Sequence, residues 1–114
     1  QLAKMERTEW DAFLDWLWDF EYHKLWIPAP DQVLFLDVPQ SLSDANVRKR
    51  SGETGQSLDI HEKDRAYLAA CRTAALYAAE KCAWDVVDCA ETGGEMQKSR
   101  EKIACEIRAR LREL

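Results

Sequence analysis

A short apolar run early in the chain constrains the fold more than any other feature. Five of the six residues 33–38 are apolar, and Pro39 follows them directly. A run of this length and composition is typical of a strand that is covered on both faces, as in a parallel sheet. Proline ends the strand because it has no amide hydrogen to donate to a neighbour. The run therefore predicts a buried parallel strand with Asp37 at its carboxyl end.

A second apolar run, 84–90, predicts another strand, and helical periodicity surrounds both strands. The predicted helices cover roughly residues 5–25, 41–50, 59–82 and 103–114. Capping-box patterns, Ser41 with Asp44 and Asp59 with Glu62, precede the second and third of these helices. Strands that alternate with helices predict an α/β fold built on a doubly wound parallel sheet.

The chain is short for such a sheet, since its 114 residues suffice for one domain at most. Two strands flanked by four helices leave an unpaired strand edge and exposed apolar faces, which isolated soluble domains avoid. The sequence also begins at Gln1 rather than at Met. We therefore expect an upstream segment, a second chain or a symmetry mate to supply the missing strands.

Charge and cysteine content exclude several classes of function. The net charge is −5, from 16 basic and 21 acidic side chains, which argues against a role in coating nucleic acid. No apolar stretch is long enough to span a bilayer. The four cysteines form no C-x-x-C pair and have no histidine at ligand spacing, so we expect buried, reduced thiols of a cytoplasmic protein rather than a zinc site.

The first helix is unusually rich in aromatic residues, namely Trp16, Trp18, Phe20, Tyr22 and, just beyond it, Trp26. Packing in the core is the favoured interpretation of such a cluster. The alternative is that the cluster packs against a partner chain.

The segment that leads into the first strand resembles one found in a known enzyme family. Residues 22–31 read YHKLWIPAPD and run into the strand and Pro39. Bacterial thymidylate kinases carry a similar Y-x-K-L-x-I-P-x-P-D segment followed by L-D-V-P. The resemblance continues in order through residues 48–50, 58–68 and 84–89, and so covers nearly the whole chain. Trp26 departs from the pattern, because relatives commonly have glycine there.

This resemblance implies transfer of a phosphoryl group from ATP to dTMP, with Mg²⁺, on a P-loop nucleoside monophosphate kinase fold. Residues 1–114 would form the C-terminal part of that kinase domain, with a lid at about 48–60, in a cytoplasmic homodimer. The sequence contains neither the G-x-x-x-x-G-K-[ST] phosphate loop nor the Asp-Arg-Tyr type segment of the family. ATP and Mg²⁺ would be bound mainly by the missing N-terminal part, and the chain alone is expected to be inactive.

The resemblance assigns the catalytic role to Arg48 and Arg50 in the lid, with Lys49 at the nucleotide. Phosphoryl transfer needs positive charge near the oxygens whose charge rearranges, and a guanidinium can donate two parallel hydrogen bonds to phosphate. Successive helical side chains point about 100° apart, so we do not expect all three to reach the nucleotide. The alternative role for these cations is to complement the dipole at the carboxyl end of a helix.

Two further groups of residues are candidates for binding. Glu91, Thr92 and Gly93 follow the second strand, and we expect them to border the nucleotide because ligands bind at the carboxyl ends of parallel strands. Gln1, which would follow the absent Asp-Arg-Tyr segment, and Tyr67 are candidates for binding the acceptor, although core packing suits Tyr67 equally.

Other acidic and histidine residues are expected to have structural roles. A turn or capping role is favoured for Asp37 over metal ligation or general-base chemistry, and capping is favoured for His61 and Glu62. No metal ligand is assigned in this chain. Two other functions stay open: a related nucleoside monophosphate kinase, and a non-catalytic module that binds a partner chain.

Overall fold

The computed structural model describes residues 1–54 and 64–111. Two 3₁₀ turns, Leu2–Lys4 and Arg7–Glu9, lead into helix α1, Trp10–Trp18, which continues as a π-helix over Asp19–Lys24. Strand β1, Leu34–Asp37, is followed by helices α2, Gln40–Thr54, and α3, Arg65–Lys81. Strand β2, Asp85–Asp88, and helix α4, Arg100–Arg110, complete the described part. The predicted alternation of helices and strands in a mixed α/β protein is confirmed.

The two strands pair in parallel, with Leu34 opposite Asp85 and Asp37 opposite Asp88. In the described part of the chain each strand has a neighbour on one side only. Side chains alternate between the faces of a sheet, so Leu36 and Val86 lie on opposite faces. Their exposed fractions are 46% and 39%. Each face of this small sheet therefore presents an aliphatic side chain to solvent, and the prediction that the first strand is buried on both faces is wrong for Leu36.

The first predicted helix begins later than expected. Met5 is extended, with ψ near 155°, and it separates the two 3₁₀ turns. The indole of Trp10 donates a hydrogen bond of 2.9 Å to the carbonyl oxygen of Leu2, which holds the amino-terminal turn against the helix. Leu2 and Trp10 form a small core with Ala74 and Ala78 of α3. The alanines have small side chains, so α3 can approach this turn closely.

The prediction of a buried aromatic cluster is wrong for three of its members. Trp16, Trp18 and Trp26 have exposed fractions of 54%, 47% and 84%. Phe20 stacks on Trp16 at 5.1 Å between ring centroids, and this pair lies on the surface of the helical segment rather than in the core.

Helix α2 also differs from the prediction, since it runs from Gln40 to Thr54 instead of ending at Arg50. The expected capping box at Ser41 does not form, because that residue already lies inside the helix. The carboxylate of Asp44 is used elsewhere: it accepts a 2.8 Å hydrogen bond from Gln40 and lies 2.7 Å from a guanidinium nitrogen of Arg65.

Helix α3 begins at its own cap, because the side chain of Asp64 accepts a 2.9 Å hydrogen bond from the amide of Tyr67. The predicted caps Asp59 and Glu62 lie outside the described residues. The helix ends in a Schellman motif, in which the amide of Ala83 donates to Glu80 and that of Trp84 to Ala79. Ala83 has a φ of 54°, a conformation that glycine usually supplies at this position.

All four cysteines are free thiols. Cys89 alone is fully buried, and Cys105 is exposed, so the expectation of four buried thiols is wrong for Cys105. Burial raises the pKa of the Cys89 thiol. Within the described ranges, no helix is long and apolar enough to cross a bilayer.

Candidate anion-binding groove at the carboxyl edge of the sheet

Helix α2 begins directly at the carboxyl end of β1. The carbonyl oxygen of Pro39 accepts hydrogen bonds of 3.1 Å and 3.0 Å from the amides of Leu42 and Ser43. Proline cannot continue the strand, and its carbonyl instead starts the helix. Every side chain on this helix is therefore positioned relative to the end of β1.

The two strands end in carboxylates, and an arginine forms an ion pair with one of them. Asp37 and Asp88 are partners in the parallel register. Arg72 of α3 donates two hydrogen bonds to Asp37, of 2.7 Å to Oδ1 and 2.8 Å to Oδ2. These bonds, with the nearby charge of Asp88, raise the pKa of the Arg72 guanidinium. Both oxygens of Asp37 thus accept hydrogen bonds from Arg72, so the side chain forms an ion pair between β1 and α3 rather than the turn or cap that was predicted.

The connection between β2 and α4 folds back to the same edge of the sheet. Gly93 and Gly94 have φ values of 98° and 75°, which a turn here requires and only glycine adopts without strain. The amide of Glu91 donates to the carbonyl of Met96 at 2.7 Å, and Ala90 forms an antiparallel bridge with Gln97. The turn therefore brings Gln97 back beside the end of β2.

A groove of about 490 Å³ lies between α2 and this connection. Its polar and basic lining consists of Ser43, Asn46, Lys49, Arg50, Gln97 and Arg100. We call it the basic groove. The side chains of Asn46 and Gln97 meet at one end of it in a hydrogen bond of 2.5 Å. Among the described residues, no carboxylate lines the groove.

The charge of the basic groove favours an anionic ligand. Three cationic side chains, Lys49, Arg50 and Arg100, line it together with neutral amide and hydroxyl groups. Arginine and lysine bind phosphate strongly, arginine with two parallel hydrogen bonds. Arg100 lies in the first turn of α4, where the helix dipole disfavours a cation. Its position there therefore contributes nothing favourable to the helix dipole.

The three adjacent basic residues of α2 differ in their position relative to the basic groove. Lys49 and Arg50 line the basic groove, whereas Arg48 is exposed outside its lining. This agrees with the expectation that the three side chains do not all point to one ligand. Because α2 continues to Thr54, none of them lies in its last turn, which weakens the alternative that they complement the helix dipole.

The residues predicted to border the nucleotide lie on the connection between β2 and α4, but they do not line the basic groove. Glu91 pairs with Lys102 at 2.6 Å, and this contact raises the pKa of Lys102. Thr92 and Gly93 are exposed in the turn. The groove is lined instead by Gln97, near the end of this connection, and by Arg100, the first residue of α4.

The two candidates for binding the acceptor, Gln1 and Tyr67, belong to elements that pack on each other. The 3₁₀ turn that follows Gln1 packs on α3, and the ammonium group of Lys4 lies 5.9 Å from the ring centroid of Tyr67. A hydrogen bond with Cys71 raises the pKa of the Tyr67 phenol. Tyr67 is half-buried, and Gln1 is exposed. The predicted roles of His61 and of the second half of the lid fall outside the described residues.

Sequence reasoning missed Gln97 and Arg100. Their contribution depends on the return of the chain at Gly93 and Gly94, which composition does not reveal. One sequence signal was available, namely a serine followed directly by an arginine at positions 99 and 100. In the structure Ser99 caps α4 by accepting a 3.2 Å hydrogen bond from the amide of Lys102. A capping serine followed by arginine places a cation where the helix dipole opposes it.

No significant match to the chain was found in a scan against protein-family models, in a search of curated proteins or in a search of solved structures.

Proposed function

We propose that this chain is the C-terminal part of a thymidylate kinase whose intact form transfers the γ-phosphoryl group of ATP to dTMP, giving ADP and dTDP. The basic groove is the observation that carries the proposal. It lies beside the carboxyl ends of the parallel strands, where α/β proteins bind ligands, and three cationic side chains line it. The collinear resemblance to thymidylate kinases supplies the identity of the nucleotides.

In this proposal an oxygen of the dTMP phosphate attacks the γ-phosphorus, and the bond from that phosphorus to the β,γ-bridging oxygen breaks. Lys49, Arg50 and Arg100 hold phosphate oxygens of ATP, and Arg48 approaches when the lid closes. Positive charge at these oxygens stabilises the transition state more than the ground state. Gln1 and Tyr67 contact dTMP, and Glu91, Thr92 and Gly93 border the adenine.

Magnesium is required by the proposed reaction, and the family resemblance implies that residues outside this chain bind most of it. Among residues 1–54 and 64–111, no three carboxylate, histidine or cysteine side chains are grouped closely enough to hold a metal ion. Asp37 is engaged by Arg72 through both oxygens. We assign Mg²⁺ binding, and the loop that cradles the donor phosphates, to the missing N-terminal part.

The same part supplies the strands that complete a P-loop kinase sheet. Both faces of the present sheet carry an exposed aliphatic residue, Leu36 on one and Val86 on the other. Both are already more than half buried, so covering what remains exposed would contribute about 1 kcal/mol each, which favours the docking of further elements. The completed domain forms a homodimer and acts in the cytoplasm, as the family resemblance implies.

The test joins the chain to the N-terminal part of a thymidylate kinase and measures formation of ADP and dTDP. Arg48→Ala with Arg50→Ala should lower kcat by about 100-fold or more, because lid arginines act on the transition state, while KM for dTMP changes by less than about threefold. Arg108→Ala, an exposed cation outside the basic groove, is the matched control. An unchanged kcat in the double variant would remove the lid role.

A second variant tests the role of the basic groove independently of the role of the lid. Arg100→Gln keeps a polar but shorter side chain and removes the charge. We expect it to raise KM for ATP by about tenfold, the size of one lost charge-assisted hydrogen bond. If ATP binding is unaltered in Arg100→Gln, the groove is not the donor site. Comparing dTMP, dUMP, dCMP and thymidine as acceptors distinguishes thymidylate kinase from a related nucleoside monophosphate kinase.

The second candidate function is a non-catalytic module that binds a partner chain. Its support is the exposure of Trp16, Trp18 and Trp26, together with the outer edge that each strand leaves open among residues 1–54 and 64–111. The two candidates differ in their response to nucleotide. ATP and dTMP should raise the melting temperature of a kinase complex, since both bind only the folded state, and should leave that of a docking module unchanged.

A further inference from the structure

A second cavity, of about 210 Å³, lies at the opposite end of the sheet from the basic groove. Val33, just before β1, and Asp85, the first residue of β2, form its floor. The carboxyl half of α1 and the π-helix close one side, and the end of α3 closes the other. Both strands begin here, whereas the proposed nucleotide site lies where they end. This cavity is therefore separate from the basic groove.

Aromatic and aliphatic side chains form most of its wall. Trp18 and Tyr22 meet edge to face with 4.5 Å between their ring centroids, and Trp84 lies across from them. Leu14 and Leu17 complete the apolar surface. A cavity of roughly 150 Å³ holds benzene in another protein, so this one has room for one ring and a short chain.

The polar part of the wall is acidic. Glu21, Asp31 and Asp85 line the cavity, and no lysine, arginine or histidine of the described residues does so. Asp85 accepts a 2.6 Å hydrogen bond from Gln32. Glu21 and Asp31 form no ion pair and no side-chain hydrogen bond within the part of the chain that the structure describes.

Two lysines on the elements that border the cavity form ion pairs with other carboxylates. Lys24 pairs with Asp19, and Lys81 lies 3.6 Å from Asp11 and 3.4 Å from Asp15. These contacts lower the pKa values of Asp11 and Asp19, for which the leading causes are hydrogen bonds from Tyr77 and Lys24 respectively. No lysine of this cluster lines the cavity.

We propose that this aromatic cavity binds a small organic cation composed of one aromatic ring and a short ammonium arm. The ring would pack against Trp18, Tyr22 and Trp84, and the ammonium group would lie at Glu21 and Asp31. Indole faces attract cations, and a carboxylate forms its strongest hydrogen bonds with a charged donor. An anionic nucleotide is unsuited to this cavity, so the proposal stands apart from phosphoryl transfer.

The probe is 2-phenylethylammonium, and the readout is ¹⁹F NMR of the 114-residue chain labelled with 5-fluorotryptophan. We expect saturable shifts of the Trp18 and Trp84 resonances and unchanged Trp16 and Trp26 resonances, with each signal assigned by a Trp→Phe variant. The neutral analogue 2-phenylethanol should bind about tenfold more weakly, and the anion 3-phenylpropanoate should not bind, because only the cation gains the charge-assisted contact.

The acidic wall is tested by the double variant Glu21→Gln with Asp31→Asn, which should weaken binding of the ammonium probe about tenfold and leave binding of the alcohol unaltered. Glu101→Gln, an exposed carboxylate on α4, is the control and should change neither. Equal affinities for ammonium and alcohol, shifts centred on Trp26, or no saturable shift up to about 10 mM would each overturn the proposal. If the double variant does not fold, the three ligands on the unchanged chain decide alone.

Discussion

The pair formed by Arg72 and Asp37 offers the sharpest test of how the carboxyl edge is built. The side chain of Asp37 is 14% exposed, and that of Arg72 is 38% exposed. Asp37 faces Asp88 across the sheet, so the guanidinium compensates two neighbouring carboxylates. Removing it leaves a nearly buried charge without its cation.

Replacing Arg72 by Met keeps most of the hydrocarbon stem and removes both hydrogen bonds. Each bond to a charged group contributes about 1.5–3 kcal/mol, and solvent screening at a side chain exposed by more than a third reduces the sum. We expect Arg72→Met to lower the free energy of unfolding by about 2–3 kcal/mol. Asp37→Asn should lower the free energy of unfolding by about 1–2 kcal/mol. The cost is smaller because a nearly buried neutral amide needs a cationic partner less than a nearly buried carboxylate does.

The assay is a double-mutant cycle in urea at pH 7, followed by far-UV circular dichroism. If the pair acts as argued, the double variant costs less than the sum of the single variants by about 1.5 kcal/mol, with the slope of the urea dependence unchanged. Arg108→Met, which alters an exposed cation, should change stability by less than about 0.5 kcal/mol. A coupling energy below about 0.5 kcal/mol would refute the view that this pair holds α3 to the end of β1.

Three further substitutions test the remaining structural arguments. Trp26→Gly and Ala83→Gly should each raise the urea midpoint by the equivalent of about 0.5–1 kcal/mol, because φ values of 58° and 54° strain a side chain but not glycine; a lower midpoint for either would contradict this. The Lys98 ammonium holds the pKa of Glu106 below its usual range, so the stability from this contact is present above about pH 4.3 and is lost as pH falls through the lower folded-state value. The melting temperature should therefore fall less between about pH 6 and pH 3 in Glu106→Gln than in the unchanged chain, and parallel curves would contradict the argument.

The strands were predictable because their signal is local. The apolar runs around Leu34 and Val86 and the stop at Pro39 follow from residue type alone, and the parallel pairing follows from the intervening helices. The end of α2 was not predictable in the same way. Ser41 and Asp44 match a capping box by spacing, but Asp44 is taken by Arg65 of another helix, a contact that depends on tertiary structure.

The candidate site was predictable only in part, for a related reason. The basic residues Lys49 and Arg50 stand out because they are adjacent in the sequence. Arg100 is about fifty positions away, and it joins them only because the turn at Gly93 returns the chain to the sheet edge. Likewise, the aromatic content of the first helix was evident, but which tryptophans are covered depends on elements that pack against them.

The distribution of charge, rather than its total, decides what each end of the sheet can bind. The net charge of −5 suggests a protein that repels anions. The two cavities, however, lie at opposite ends of strands of four residues, about 13 Å long. That distance exceeds the screening length of about 8 Å at physiological ionic strength, so the carboxylates Glu21 and Asp31 have little effect on the potential in the basic groove. The charges that line each cavity, cationic in the basic groove and acidic in the aromatic cavity, are therefore a better guide to the proposed ligands than the overall charge.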